Sequence, residues 1–162
     1  MKVGILVTRR LWVLIASAGF VAASDAIAQS RVAPASLQWA APTTLPTSAR
    51  VAVVSGDPTA PEESTFLISM PNGYQIGPHS HPSPTHVEVR EGTLLVGMGD
   101  KLDPKHALPL TAGDSVTIAA GVHHFWIAKG RTVVSMTFIG PFTITYLHAE
   151  DAPSRRVFPF GY

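Results

Sequence analysis

The 162-residue chain contains no cysteine. That excludes disulfide staples, thiolate nucleophiles, thiolate metal ligands and a cysteine-borne lipid anchor, and it leaves an oxidising compartment tolerable. Charge is scarce and balanced: 12 Lys and Arg stand against 11 Asp and Glu, for a formal net charge of +1. Without a basic excess there is no electrostatic case for nucleic acid or for an anionic membrane surface as a partner. Several catalytic signatures are missing as well. No glycine loop suited to phosphate occurs, no nucleophile elbow surrounds Ser80, Ser83 or Ser135, and no carboxylate pair for glycoside hydrolysis can be picked out.

Long apolar runs are absent except at the start. Lys2, Arg9 and Arg10 precede a mostly apolar stretch from Leu11 to Ala23, and Ala26-Ile27-Ala28 fits a small-x-small cleavage site. Residues 1–28 are therefore expected to be an export signal peptide, with the mature chain starting at Gln29. The run is shorter than the roughly 20 residues that a retained span needs, so no membrane attachment is expected after cleavage. The pair Arg9-Arg10 also resembles a twin-arginine signal, but the residues after it depart from that pattern, and an ordinary secretory signal is the favoured reading. Either route predicts a periplasmic or secreted protein. Removing 28 of 162 residues leaves 134, room for one domain with a real core. The signal takes three basic residues and one acidic one with it, which moves the net charge to −1, and all seven histidines stay in the mature part.

What the mature chain does have is short runs of Val, Ile, Thr and aromatics between scattered Gly and Pro. Examples are Arg50 to Ser55, Thr65 to Met70, Ser115 to Ala119, Arg131 to Ile139 and Phe142 to Leu147. Such runs read as strands, and no stretch keeps a helical period for three turns, so the fold class is all-β. Residues 29–48, with Pro34, Pro42 and Pro46, read as an extended N-terminal arm lying across the barrel or a partner subunit, and residues 49–162 as the β-barrel domain.

Two segments carry the chemistry. His79-Ser80-His81 places two imidazoles on one side of an extended strand, and a third histidine follows about forty residues later, an arrangement with which a barrel can gather ligands for one metal ion. Strand parity sharpens the picture. Thr85 shares its face with Val87 and Val89, whereas His86, Glu88 and Arg90 form a polar face, so Thr85 is expected to point in and His86 out. Farther on, His124 shares parity with Trp126, and His123 with Phe125 and Ile127. Both of those faces are apolar, and parity alone does not choose between the two histidines.

These residues resemble the cupins, small barrels of two facing antiparallel sheets around an internal metal site. Their first motif, G-x5-H-x-H-x(3 or 4)-E-x6-G, fits Gly73, His79, His81, Thr85 and Gly92 with every spacing kept, Thr85 standing where the glutamate belongs. Their second, G-x5-P-x-G-x2-H-x3-N, fits Gly113, Ala119, Gly121, His124 and Ala128, with alanine at the proline and asparagine positions. The direct match spans residues 73–128, and the run His81 to Asp100, with its Gly97-Met98-Gly99-Asp100 segment, is similar to a group of small secreted single-domain cupins.

The resemblance implies a cupin-type double-stranded β-helix, a jelly-roll barrel, in which His79, His81 and His124 hold one divalent transition metal ion. Neutral imidazoles suit Fe, Mn, Zn, Ni or Cu and do not choose among them. A threonine hydroxyl is a poor ligand beside a carboxylate, so Thr85 implies three imidazoles, no protein anion and coordination positions left for water or a small chelating substrate. Three-histidine cupins that cleave carbon skeletons with dioxygen work in this way, which makes a dioxygenase-like oxidoreductase one reading. The alternative is a non-catalytic binding or sensing module, favoured by the lost glutamate. A further alternative lets His86 take the fourth position through a bulge. Trp126, Met136 and Phe138 are candidates for lining the pocket, although a barrel of this size needs such residues simply as filling. His106 and His148 read as surface residues, and Glu88 and Arg90 as cross-strand ion-pair partners. The arm, together with Phe125 and Ile127 if they face outward, suggests a homodimer.

Overall fold

The structure, a computed structural model, describes residues 37–153. Residues 1–28, expected to be an export signal, the first residues of the expected arm and the last nine residues of the chain lie outside the described part. Among the described residues there are eight strands: β1 Arg50–Ser55, β2 Glu63–Met70, β3 Gln75–Ser80, β4 Thr85–Met98, β5 Leu108–Thr111, β6 Ser115–Ile118, β7 His124–Ile139 and β8 Thr145–Tyr146. The one helical element among the described residues is a 3₁₀ turn, Pro104–His106, capped by the Asp103 side chain.

The architecture rests on β4 and β7, of 14 and 16 residues, which pair antiparallel over almost their whole lengths. Each half of this ribbon recruits different neighbours. Thr85 to Glu88 pair with β6 while Thr132 to Ile139 pair with β2, which in turn holds β1. Thr93 to Val96 pair with β5 while the start of β7 pairs with β3, which holds β8. The ribbon thus passes from one facing sheet into the other. Its crossing point is irregular, with register shifts on both sides of Glu91. Gly92 sits there at φ +80°, and a Cβ on it would run into the carbonyl of Arg131, so only glycine serves at this bend.

Alternation explains what fills the space between the sheets. On β4, Thr85, Val87 and Val89 are buried, whereas His86 and Arg90 are exposed. On β2, Phe66, Ile68 and Met70 are buried on one face, and on β7 the inward set includes Trp126, Ala128, Val134, Met136 and Phe138. Each fully buried aliphatic or aromatic side chain contributes about 1.5–3 kcal/mol, so this interior holds the barrel together without cross-links. Phe125 and Ile127 occupy the other face of β7, yet both are buried: the Phe125 ring lies over Gly97, its cross-strand partner. They therefore offer no exposed apolar face for a partner subunit.

The strand readings stand with three changes. Arg131 to Ile139 is the second half of a longer strand that begins at the candidate histidine. Between Phe142 and Leu147 the only regular strand is Thr145–Tyr146. Glu88 and Arg90 do form an ion pair, at 2.9 Å, but with each other along β4 rather than across strands.

Candidate metal centre

His79, the penultimate residue of β3, pairs in register with His124, the first residue of β7. Two residues past each other on an extended chain, His79 and His81 project to the same side. A backbone hydrogen bond from Gly121 N to the His81 carbonyl, 2.9 Å, ties the turn before β7 to the end of the His-x-His segment. Ring centroids are 4.1 Å apart for His79 and His124, 5.1 Å for His79 and His81, and 5.4 Å for His81 and His124. One ring nitrogen from each of the three falls within 4.8 Å of the others. All three side chains are buried.

Backbone carbonyls orient each ring. Nδ1 lies 2.8 Å from the Gly77 carbonyl in His79, 2.8 Å from the Thr143 carbonyl in His81 and 3.0 Å from the Val122 carbonyl in His124. A carbonyl only accepts, so each Nδ1 donates its proton and each Nε2 is left with a free lone pair. Burial, aided by repulsion from the other imidazoles, lowers the pKa of His79 to about 3. Burial likewise lowers His124 to about 4 and lowers His81, against the opposing effect of their carbonyl bonds. The group is thus neutral at pH 7, the state in which imidazole binds metal.

The residues fit an ion. Nε2 of His124 is buried with no hydrogen-bond partner, an expensive arrangement for a polar atom that only donates electrons to a ligand. Metal–nitrogen distances of about 2.0–2.1 Å require only modest closure of the observed cluster. Three further buried atoms lack partners: Ser64 Oγ on β2, and Oγ1 of Thr85 and Nε1 of Trp126. Thr85, 1% exposed, faces the interior with Val87 and Val89, and Trp126 shares the inward face of His124 with its ring 6.2 Å away. Both can donate a hydrogen bond to an oxygen of a bound molecule. Among the described residues, no Asp or Glu is buried beside them.

The other sequence candidates divide cleanly. His86 is corrected: it is exposed, its Nδ1 lies 3.0 Å from Thr117 Oγ1 on the outer face of β6, and no bulge turns it inward. His123 pairs with Asp100 at 2.7 Å and His106 with Asp103 at 2.7 Å, both at the surface, while His148 contacts the Asp100 carbonyl. Trp126 flanks the imidazoles as expected. Phe138 reaches them only through Phe142, which packs on His81 at 5.3 Å, and Met136 lies in the general core. Phe142, Gly77 and the carbonyls that orient the rings were not picked out in the sequence, since a carbonyl acceptor leaves no residue-type signal. Gly77 does have a readable cause, because the Asp151 carboxylate occupies the place a Cβ would take.

The family profile described as cupin domain matches residues 66–140, from the middle of β2 to just past β7, including all three histidines. This chain carries a cupin domain. Solved structures agree on the fold. The barrel is similar to an RmlC-like cupin from Shewanella frigidimarina, with TM-score 0.54 and 17% identity over 79% of this chain and 94% of that one. It is also similar to a candidate acetylacetone dioxygenase from Methylibium petroleiphilum, with TM-score 0.57 and 16% identity over 80% of this chain and 88% of the other. A variant of salicylate 1,2-dioxygenase from Pseudoaminobacter salicylatoxidans, in complex with gentisate, aligns at TM-score 0.53 and 15% identity over 65% of this chain and 31% of that one. At such identities the likeness is one of fold. No curated protein matches the sequence.

Proposed function

We propose that the protein is an exported cupin that binds one divalent transition metal ion through Nε2 of His79, His81 and His124 and acts on a small chelating substrate as a dioxygenase-like oxidoreductase. The observation that carries the reading is the set of three neutral, pre-oriented imidazoles with their lone pairs directed at one another. A bound ion would supply Lewis acidity and a template for an oxygen-donor substrate. The chain's own part is to hold the ligand set rigid, to exclude bulk water with Trp126 and Phe142, and to offer Thr85 Oγ1 and Trp126 Nε1 as hydrogen-bond donors. No buried carboxylate stands ready to remove a proton, so a substrate that ionises readily on its own, such as an enol or a carboxylic acid, fits best. The names of two similar structures, for acetylacetone and salicylate, belong to molecules of that kind.

The same lack of a carboxylate favours a second reading, a barrel that binds a metal or small ligand without turning it over. Metal analysis by mass spectrometry, on protein purified without a metal-binding tag, addresses what the two readings share. About one equivalent of metal, lost in His124→Ala, is expected; sub-stoichiometric metal that the substitution leaves unchanged would overturn the enzyme reading and leave a module for a small ligand. Oxygen uptake with β-diketone or hydroxybenzoate substrates then separates them, since the binding module consumes none. Assembly as a homodimer is part of the proposal, supported by exposed Met98 and Leu108 near the β5 edge. A monomer in light scattering at micromolar concentration would sink that part.

A further inference from the structure

A second compartment lies on the other side of Phe142. Residues 38–45 of the arm run over the interior-facing side chains of β1 and β2, and between them is a cavity of about 390 Å³. Its floor is Val51, Val53, Phe66 and Ile68, and its end wall is Phe142. The roof is fixed rather than draped. At one end Ala40 and Val51 exchange two backbone hydrogen bonds of 2.9 Å. At the other, the Tyr74 hydroxyl donates to the Pro46 carbonyl at 2.6 Å, the Tyr146 hydroxyl to the Thr44 carbonyl at 3.0 Å, and Leu45 is buried in the core. Between these anchors stand Ala41, Pro42 and Thr43, small or stiff residues that line the space.

Both the size and the chemistry of this space are informative. Ligand sites run from roughly 300 to 1,000 Å³, and the cavity falls inside that range. Among the described residues no ionisable side chain lines it, and its polar side chains are Gln38, Thr43 and Thr44. Its walls are mostly apolar and offer water few hydrogen-bond partners. A charged ligand would be desolvated without compensation.

We propose that the cavity beneath the arm is a binding site for a neutral, predominantly apolar small molecule, walled off from the three histidines by Phe142. The site does not depend on the metal. Its occupancy is nonetheless felt there, because Phe142 packs on His81 and the next residue, Thr143, accepts the His81 Nδ1 hydrogen bond.

The neutral fluorophore N-phenyl-1-naphthylamine, titrated into metal-free protein, tests the assignment. Saturable fluorescence enhancement with one equivalent bound is expected, displaced by 1-octanol. Val51→Phe, which places a ring in the cavity from the floor, weakens binding at least tenfold while circular dichroism is kept. If that variant fails to fold, Ala41→Leu fills the space from the roof and is expected to do the same. His124→Ala, outside the cavity, leaves binding within twofold. Absent or unsaturable enhancement, binding indifferent to the filling substitution, or loss of binding in His124→Ala would each overturn the proposal.

Discussion

Two compartments meet at the Phe142 ring, and they are built by opposite rules. On one side three histidines, a threonine and a tryptophan bring polar atoms into a dry interior and leave three of them without partners. On the other, side chains of Val, Ile and Phe face a roof of mostly small residues, with no ionisable group among the described residues that line the space. Every rule of core packing would fill the second space and neutralise the first. Unpaired polar atoms and unfilled apolar volume both cost stability, and where a fold keeps them the natural reading is that a ligand completes them. The contrast also shows what each side tolerates. The polar side is fixed by hydrogen bonds of defined direction, the apolar side by the anchoring of a strap at its two ends.

The largest effect expected on this contrast comes from removing an imidazole. His124→Ala should lower metal affinity more than 100-fold, since even groups that only support a ligand are commonly worth 10–100-fold. Titration with Zn(II) or Co(II) measures it, and Val51→Phe should leave that affinity within a few-fold. Acid is the next strongest probe. Unfolded histidine titrates near 6.5, whereas His79 and His124 in the fold titrate at about 3 and 4. Between those values the unfolded chain binds protons that the folded chain refuses, so stability rises with pH across the window. The metal-free protein should hold its full stability above about pH 6.5 and lose it progressively as pH falls towards 3. Urea midpoints at pH 7, 5.5 and 4.5 should fall in that order, and His79→Gln should flatten the trend. A wild-type midpoint independent of pH would mean that the imidazoles are solvated.

Much of the polar compartment was legible in the sequence, and almost none of the apolar one. Histidines at fixed spacing, and the alternation of Thr85 with Val87 and Val89, name their own side of a strand because the strand period is two. Parity could not choose between His123 and His124, since both faces of β7 are apolar; the choice of His124 came from the motif. The reason for that ambiguity is now visible: Phe125 and Ile127 are covered by the chain itself on the outer face. The glutamate position holds Thr85 with nothing put in its place, because His86 keeps to the outside. The arm was readable as extended, but not where it would lie. Its seat depends on two tyrosine hydroxyls, from β8 and from the turn before β3, contacts across 102 and 28 residues respectively that no local pattern announces.

A smaller effect is expected at the shared wall. Phe142 is half-buried among Phe66, Phe138 and His81. Truncation to alanine opens the two compartments to each other and should cost ~2 kcal/mol, below the range for a fully buried phenylalanine. Chemical denaturation reads that cost. Metal affinity should drop by less than tenfold, because His81 keeps its bond to the Thr143 carbonyl.

The finest test separates the roof from its anchors. Tyr74 is buried, and burial pushes its hydroxyl well above the usual phenol pKa, so at any accessible pH it remains a donor to Pro46. Tyr74→Phe keeps the ring and removes only that bond, which should cost about 1 kcal/mol of global stability. The carbonyl of Pro46 can turn to water once released, so the loss should be local: hydrogen exchange at Thr44 and Leu45 should speed up while β4 and β7 stay protected. If the whole barrel exchanged faster by the same factor, the strap would be part of the cooperative core. Its standing off the sheet would then reflect the folding of the barrel rather than a roof held over a separate compartment.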